Sequence, residues 1–196
     1  MLKRIFDIFF AAAGLIILSP VFIITAVIIK LDSKGPVIYK QSRVGKGNRD
    51  FQLYKFRSMK PDSDVSGLLT VGGRDPRITT SGYYLRKFKL DELPQLINVL
   101  KGEMSFVGPR PEVRKYVDIY TEDQKKVLSV SPGITDVASI KYRNENELLE
   151  KADDPERFYV ENIMPDKISL NLEYIDQRSL YKDLKVILKT LSAVFT

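Results

Sequence analysis

The chain has 196 residues, 44% of them apolar, with no cysteine, no histidine and a formal net charge of +6. The missing residue types exclude disulfide frameworks, thiolate metal sites and histidine-based acid–base or metal chemistry, so any catalysis must rest on carboxylates, Lys, Tyr, Ser or Thr. The positive charge suits a phosphate-rich ligand, nucleic acid or an anionic membrane surface, but no nucleic-acid signature accompanies it. The length predicts one domain with a real core plus any special segment.

Residues 8–29 carry no charge and are flanked by Lys3, Arg4 and Asp7 before and Lys30, Asp32 and Lys34 after. As a helix this run would span about 33 Å, enough to cross a bilayer. Three readings compete. A cleaved signal peptide fits poorly, because the run is long and no small-x-small site follows it. A straight transmembrane helix fits the length. A re-entrant helix-break-helix fits Ser19-Pro20 near the middle, where proline removes an amide donor and bends the helix. Positive charge at both ends favours placing both on the same side of the membrane. The segment is delimited as 1–34, leaving 35–196 as the globular part.

Lys34-Gly35-Pro36 ends that segment. Residues 37–39 and 51–56 are short β-prone runs separated by the basic, Gly-rich stretch 43–49, which predicts a small β-hairpin with a long loop. The loop matches no phosphate-binding fingerprint and reads as a solvated turn. In Lys55-Phe56-Arg57 the two cations share one side of an alternating strand. Residues 60–82 are rich in Gly, Pro, Ser, Asp and Thr and read as an irregular excursion.

Helix resumes near 83–88, bringing Arg86, Lys87 and Lys89 up to Leu90-Asp91-Glu92-Leu93-Pro94-Gln95. Leu93, Leu96, Ile97 and Leu100 have helical spacing, and Lys101-Gly102 reads as the helix end. Asp91 and Glu92 therefore stand where a helix begins. Taken alone they read first as a cap with a first-turn acid; the sharper reading is a carboxylate pair that binds a hard metal such as Mg²⁺ and supplies a nucleophile, which needs support from elsewhere in the chain. Arg110 lies between Pro109 and Pro111 on a stiff turn, suited either to phosphate recognition or to pairing with Glu112.

Residues 112–129 read as one polar helix. Residues 131–135 read as a turn, and 137–142 as a strand or extended piece. Residues 144–154 are acidic and exposed in this reading, and 155–163 and 166–176 are helices separated by Pro165. The last helix, 179–195, places Leu180, Leu184, Ile187, Leu188, Leu191 and Phe195 on one face, which suits a core helix or an interfacial one.

Taken together, a membrane-seeking N-terminus, an acid pair and stiffly held cations point to polyphosphate handling at a lipid surface. At this point the chain resembles the bacterial sugar transferases, the small monotopic phosphoglycosyl transferases. The resemblance rests on the Lys-Arg-x-x-Asp start with Ser19-Pro20, Gly35-Pro36-Val37, Gln41-x-Arg43-x-Gly45 and Lys55-Phe56-Arg57-Ser58-Met59. It continues through Leu90 to Gln95, Asn98 to Gly102, Met104-Ser105-x-Val107-Gly108-Pro109-Arg110-Pro111, Pro132-Gly133-Ile134-Thr135 and the closing Asp183-Leu184-Lys185 helix. It covers nearly the whole chain, which has the length of the family's minimal catalytic form.

The resemblance implies transfer of a phosphosugar from a UDP-sugar to a polyprenyl phosphate, usually undecaprenyl phosphate, with release of UMP. This would be the first membrane step of a surface glycan such as a capsule, O-antigen, exopolysaccharide or glycoprotein. Asp91 would form a covalent aspartyl phosphosugar, and Glu92 would help hold Mg²⁺, with Asp91 the other carboxylate at the metal. Arg86 and Arg110 would bind phosphate, with Lys55 and Arg57 lining the same pocket. The implied fold is α+β and mainly helical. It has a re-entrant membrane segment broken at Ser19 and Pro20, a small β-hairpin and amphipathic interfacial helices. The implied location is monotopic, on the cytoplasmic face of the bacterial plasma membrane, with membrane lipid as a partner; a homodimer is left open.

Two positions depart from the pattern. Asp136-Val137-Ala138-Ser139 stands where the family commonly has Gly-Leu-Ala-Gln, and Asn171 stands where it often has Asp. The first leaves sugar choice open, and the second is given no role. Two other functions compete: a membrane-anchored scaffold that needs neither acid, and a metal-dependent phosphohydrolase that needs no lipid.

Overall fold

The computed structural model describes residues 2–61, 63, 69–72 and 75–195, with side chains through 193. Parts of the excursion at 60–82, and the Phe195 side chain, lie outside the described residues. The N-terminus forms α1 (Leu2–Ile17) and α2 (Ser19–Asp32), bent by 60°. Pro20 sits in the first turn of α2, where an amide would have no helical partner anyway. Ser19 Oγ donates to Ile16 O at 2.8 Å, satisfying a carbonyl freed where α1 ends. No single helix among the described residues is long and apolar enough to cross a membrane, although the bent pair meets the length and composition test.

The bent pair buries one side and bares the other. Ala11, Leu15 and Leu18 pack with Leu96 and Val99, while Phe22 and Ile29 pack with Phe56 and Leu85. Phe9, Ile16, Ile17, Ile23 and Leu31 are exposed. Asp32, at the end of α2, accepts from the Ser81 amide at 2.9 Å and from its hydroxyl at 2.7 Å.

Strands β1 (Ile38–Val44) and β2 (Asp50–Phe56) pair antiparallel, with Ile38 opposite Phe56 and Val44 opposite Asp50. The hairpin is as expected, but β1 runs on through Arg43. Val44 is buried in the main core, so the strand alternation extends beyond the first apolar run. Next come α3 (Thr80–Lys87), a 3₁₀ turn at Leu90–Glu92 and α4 (Gln95–Lys101). Gly102, at φ 86°, closes α4 in the left-handed conformation that glycine adopts freely.

A second, parallel pair joins β3 (Ser105–Val107) to β4 (Gly133–Thr135). The two chains come so close beyond β3 that a Cβ on Gly133 would lie 2.2 Å from the Gly108 amide nitrogen. This pairing carries Gly108 straight into Pro109-Arg110-Pro111.

The second half differs from the sequence reading in several places, beginning with Gly133–Thr135, read as part of a turn but paired as β4. Residues 112–129 form not one helix but α5 (Arg114–Val117), α6 (Glu122–Lys125) and a 3₁₀ turn at Lys126–Ser129. Thr121 restarts the helix through a reciprocal capping box with Gln124, and buried Tyr116, Val117 and Tyr120 hold the break against the core. Residues 137–142 are helical, as α7 (Val137–Lys141), because Asp136 caps them. Pro165 does not divide the next helical stretch. α9 (Pro155–Phe158) runs through a π turn at Tyr159–Ile163 into α10 (Met164–Asp176), and Pro165 falls in the first turn of α10.

The acidic stretch contains α8 (Glu145–Glu150), whose Leu149 is buried. The main core gathers Val113, Val117, Val127, Leu149, Tyr159 and Ile163. The closing helix is α11 (Leu180–Phe195). Val186 and Asp183 face inward, and Asp183 receives both Lys3 of α1 and the Tyr174 hydroxyl. Ile187 also packs inward, whereas Tyr181, Leu184, Leu188 and Leu191 are exposed.

Candidate active site

The acid pair owes its position to a left-handed residue. α3 ends at Phe88, and Lys89 follows at φ 56°, a conformation that costs a non-glycine residue about 1–2 kcal/mol. That one residue turns the chain directly into the 3₁₀ turn holding Asp91 and Glu92. The capping reading fails on the geometry: neither this turn nor α4 has a side-chain cap. Asp91 is 7% exposed, and its Oδ1 has no hydrogen-bond partner. A buried polar atom without a partner is costly and calls for an explanation.

Glu92 is held differently. Arg110 Nη2 lies 2.5 Å from its Oε1 and Nη1 lies 3.3 Å from its Oε2, while Lys55 Nζ is 3.8 Å away. The pairing of Arg110 with Glu112 allowed by the sequence does not form. Glu112 instead accepts from Arg43 at 2.9 Å and from the Tyr159 hydroxyl. Arg110 keeps its position because its own backbone amide donates to Asp136 at 2.7 Å.

These contacts separate the acids electrically. Burial pushes the Asp91 carboxyl up, the charge on Glu92 adds to that, and Lys55, Arg86 and Lys89 oppose it. Burial acts upward on Glu92 as well, but Arg110 and Lys55 outweigh it and hold Glu92 well below the usual carboxylate range. Burial brings Lys55 down to about 8 despite the attraction of Glu92. Two adjacent carboxylates thus take distinct states, one fixed as an anion and one more easily protonated.

The cations around this pair open onto a pocket of about 200 Å³, whose lining includes neither Asp91 nor Glu92. Lys55, Arg86 and Arg110 line it, joined by Arg43 and Lys167. Arg86, in the last turn of α3, donates to the Thr70 hydroxyl at 3.0 Å and pairs with no carboxylate among the described residues. Lys167 pairs with Glu145 at 2.8 Å across the pocket. Such a wall of cations suits an anionic, oxygen-rich ligand.

The structure therefore brings Asp91, Glu92, Lys55, Arg86 and Arg110 together. Arg57 is placed elsewhere. Its Nη2 donates to Ser33 O at 2.7 Å and Ser33 Oγ at 3.0 Å, at the C-terminal end of α2. The alternation that groups it with Lys55 holds only to Phe56, where β2 ends. Ser19 and Pro20 sit at the bend between α1 and α2, apart from the pocket lining. Arg43, Lys167, Asp136 and Asn171 enter the pocket without having been singled out as site residues. The strand register signals Arg43, but Lys167 and Asn171 are distant in sequence and have no local signal.

A sequence model of the family described as "Bacterial sugar transferase" matches residues 1–196. The chain belongs to the bacterial sugar transferase family. It is 40% identical, over its full length, to 44% of the UDP-N-acetylgalactosamine-undecaprenyl-phosphate N-acetylgalactosaminephosphotransferase of Aeromonas hydrophila. It is 38% identical, over 97% of its length, to 39% of the UDP-glucose:undecaprenyl-phosphate glucose-1-phosphate transferase of Escherichia coli (strain K12). It thus spans less than half of either relative. Against the exopolysaccharide production protein PSS of Rhizobium leguminosarum bv. phaseoli it is 37% identical, covering all of this chain and 96% of that one. The sugar transferase family is therefore assigned to a chain whose acid pair and cationic pocket are adjacent.

Proposed function

We propose that this protein transfers a phosphosugar from a UDP-sugar to a polyprenyl phosphate, undecaprenyl phosphate being the acceptor named for its relatives. The observation that carries the reading is Asp91: a buried carboxylate with an unpartnered oxygen, next to a Glu92 whose partners Arg110 and Lys55 line a cationic pocket. An Asp91 oxygen attacks the β-phosphorus, the bond from that phosphorus to UMP breaks, and UMP departs with the electron pair. An oxygen of the lipid phosphate then attacks the aspartyl phosphosugar and releases Asp91 as carboxylate, which is a ping-pong course. Lys55, Arg86 and Arg110 hold the diphosphate and stabilise the charge that builds on its oxygens.

The unpartnered oxygen of Asp91 favours a hard ion such as Mg²⁺ as the cofactor, with Glu92 sharing its oxygens between that ion and Arg110. Among the described residues no three Asp, Glu, His or Cys side chains converge, and the pair Asp91 and Glu92 leaves an oxygen of Asp91 free. Two carboxylates with substrate phosphate and water are the usual company of that ion. Asp91 and Glu92 would hold it, and when bound it would polarise the diphosphate and neutralise charge on the leaving UMP.

The same reading places the bent α1–α2 pair as a re-entrant insertion from the cytoplasmic face. Its bared Phe9, Ile16, Ile23 and Leu31 meet lipid, and exposed Leu184, Leu188 and Leu191 of α11 lie at the interface. Residues 35–196 form the catalytic part. The reaction would begin synthesis of a surface glycan.

The decisive experiment combines a panel of UDP-sugars with undecaprenyl phosphate and follows UMP release. Wild-type protein releases UMP and carries a phosphosugar adduct in the absence of acceptor. Asp91→Asn does neither. An active Asp91→Asn variant overturns the mechanism, and release of free sugar phosphate without lipid would make the protein a hydrolase instead.

A further inference from the structure

Asn171 lies on α10 in the wall of the pocket and is 5% exposed. Its Nδ2 lies 3.5 Å from Asp136 Oδ2, a long contact. Asp136 is 1% exposed and offers only acceptors: Oδ2 already receives the Arg110 amide and Oδ1 the Ser139 amide. A carboxylate in that position fixes which way the Asn171 amide faces, because the reversed amide would set oxygen against oxygen. Asn171 Oδ1 is therefore directed away from Asp136, and it is buried without a hydrogen-bond partner.

The other pocket acids are occupied. Glu112 is taken by Arg43 and Tyr159, and Glu145 by Lys167. Asn171 Oδ1 is a neutral acceptor in a wall otherwise built to grip anions. It cannot bind phosphate oxygen, which has no proton to give when ionised. It can accept from a neutral O–H or N–H. A site that buries an acceptor for such a group discriminates strongly against ligands lacking it, because the acceptor then stays unpaired.

We propose that Asn171, oriented by Asp136, is a specificity-determining residue that accepts a hydrogen bond from a neutral O–H or N–H of the UDP-sugar. The inference rests on the transferase reading for its ligand class. The donor belongs either to the sugar or to the nucleoside, and the test separates them.

Titration calorimetry with UDP and with each UDP-sugar of the panel is run on the full chain in an Asp91→Asn background, which forms no adduct, with Asn171 kept, Asn171→Leu and Asn171→Asp. Asn171→Leu weakens UDP-sugar binding about 10- to 100-fold. If UDP binding is untouched, the donor is on the sugar; if UDP weakens equally, it is on the nucleoside. Asn171→Asp shares a proton with Asp136 across their contact, keeps its other oxygen as acceptor, and binds within a few-fold of the parent. Should Asn171→Leu not fold, Asn171→Ser takes its place. Unchanged affinities in Asn171→Leu overturn the proposal, and so does Asn171→Asp binding as weakly as Asn171→Leu. Wild-type protein that binds UDP-sugar but never releases UMP removes the transferase reading and leaves this readout intact. Wild-type protein that binds neither ligand removes both.

Discussion

Arg110 grips Glu92 with both terminal guanidinium nitrogens, at 2.5 and 3.3 Å, while its own backbone amide is held by Asp136. The residue is thus fixed at both ends. A lysine retains the charge but cannot make the forked contact, so Arg110→Lys should lower kcat/KM for the UDP-sugar by roughly 100-fold. Burial raises Glu92, and Arg110 together with Lys55 more than offsets it, so weakening the Arg110 grip moves the Glu92 carboxyl upward. The acid limb of the pH–rate profile should then shift to higher pH. Steady-state kinetics across pH reads both effects.

Lys55 titrates near 8, because burial brings it down. It is charged below that value and neutral above it, so its hold on phosphate fades as pH rises through about 8. Affinity for the UDP-sugar should fall on the alkaline side. Lys55→Arg stays protonated throughout that range, and its profile should lose the alkaline fall. An unchanged profile would show that Lys55 is not the titrating group.

The 60° bend falls at Ser19-Pro20. Pro20→Leu restores the missing amide and favours a straight helix. With cysteines introduced at positions 2 and 34, labelling of native membranes should find both on one side in the parent and on opposite sides in the Pro20→Leu protein. Opposite sides in the parent would overturn re-entry.

Asp136 is buried and accepts from the Arg110 and Ser139 amides. Asp136→Ala leaves both donors without that partner and removes the cap of α7. The loss should be about 2–3 kcal/mol, or roughly 5–10 °C in Tm. Thermal unfolding of the solubilised protein measures it, and a shift below 2 °C on that scale of about 2–4 °C per kcal/mol would deny the residue this role.

The sequence was informative where a residue acts locally. Pro20 breaks a helix, Gly102 ends one, and the alternation at 51–56 makes a strand. It was less informative where one residue's role is set by a distant partner. Arg57 and Lys55 share a strand pattern, yet only Lys55 reaches the pocket, because β2 ends between them and Arg57 turns to Ser33. The parallel pairing of β3 with β4 joins three-residue segments 28 positions apart, too short to show a period. Residues 112–129 have helical composition throughout, but buried tyrosines and the Thr121 cap divide them. Asp91 and Glu92 were visible as a pair; that one is orphaned and the other clamped is a property of the fold.

The joint between α2 and the globular part has no slack. Gly35 sits at φ 121°, a backbone conformation that side chains rarely adopt, and a Cβ there would displace Arg57 Nη1, 2.2 Å away, while Ser33 and Asp32 are held by Arg57 and Ser81. A flexible tether would only raise the protein's concentration near the membrane. A stiff one under the proposed insertion acts as a ruler, converting the depth of the hairpin into the elevation of Asp91 above the lipid phosphates. Residues added within 33–36 would then leave the protein membrane-bound while lifting its nucleophile out of the acceptor's reach.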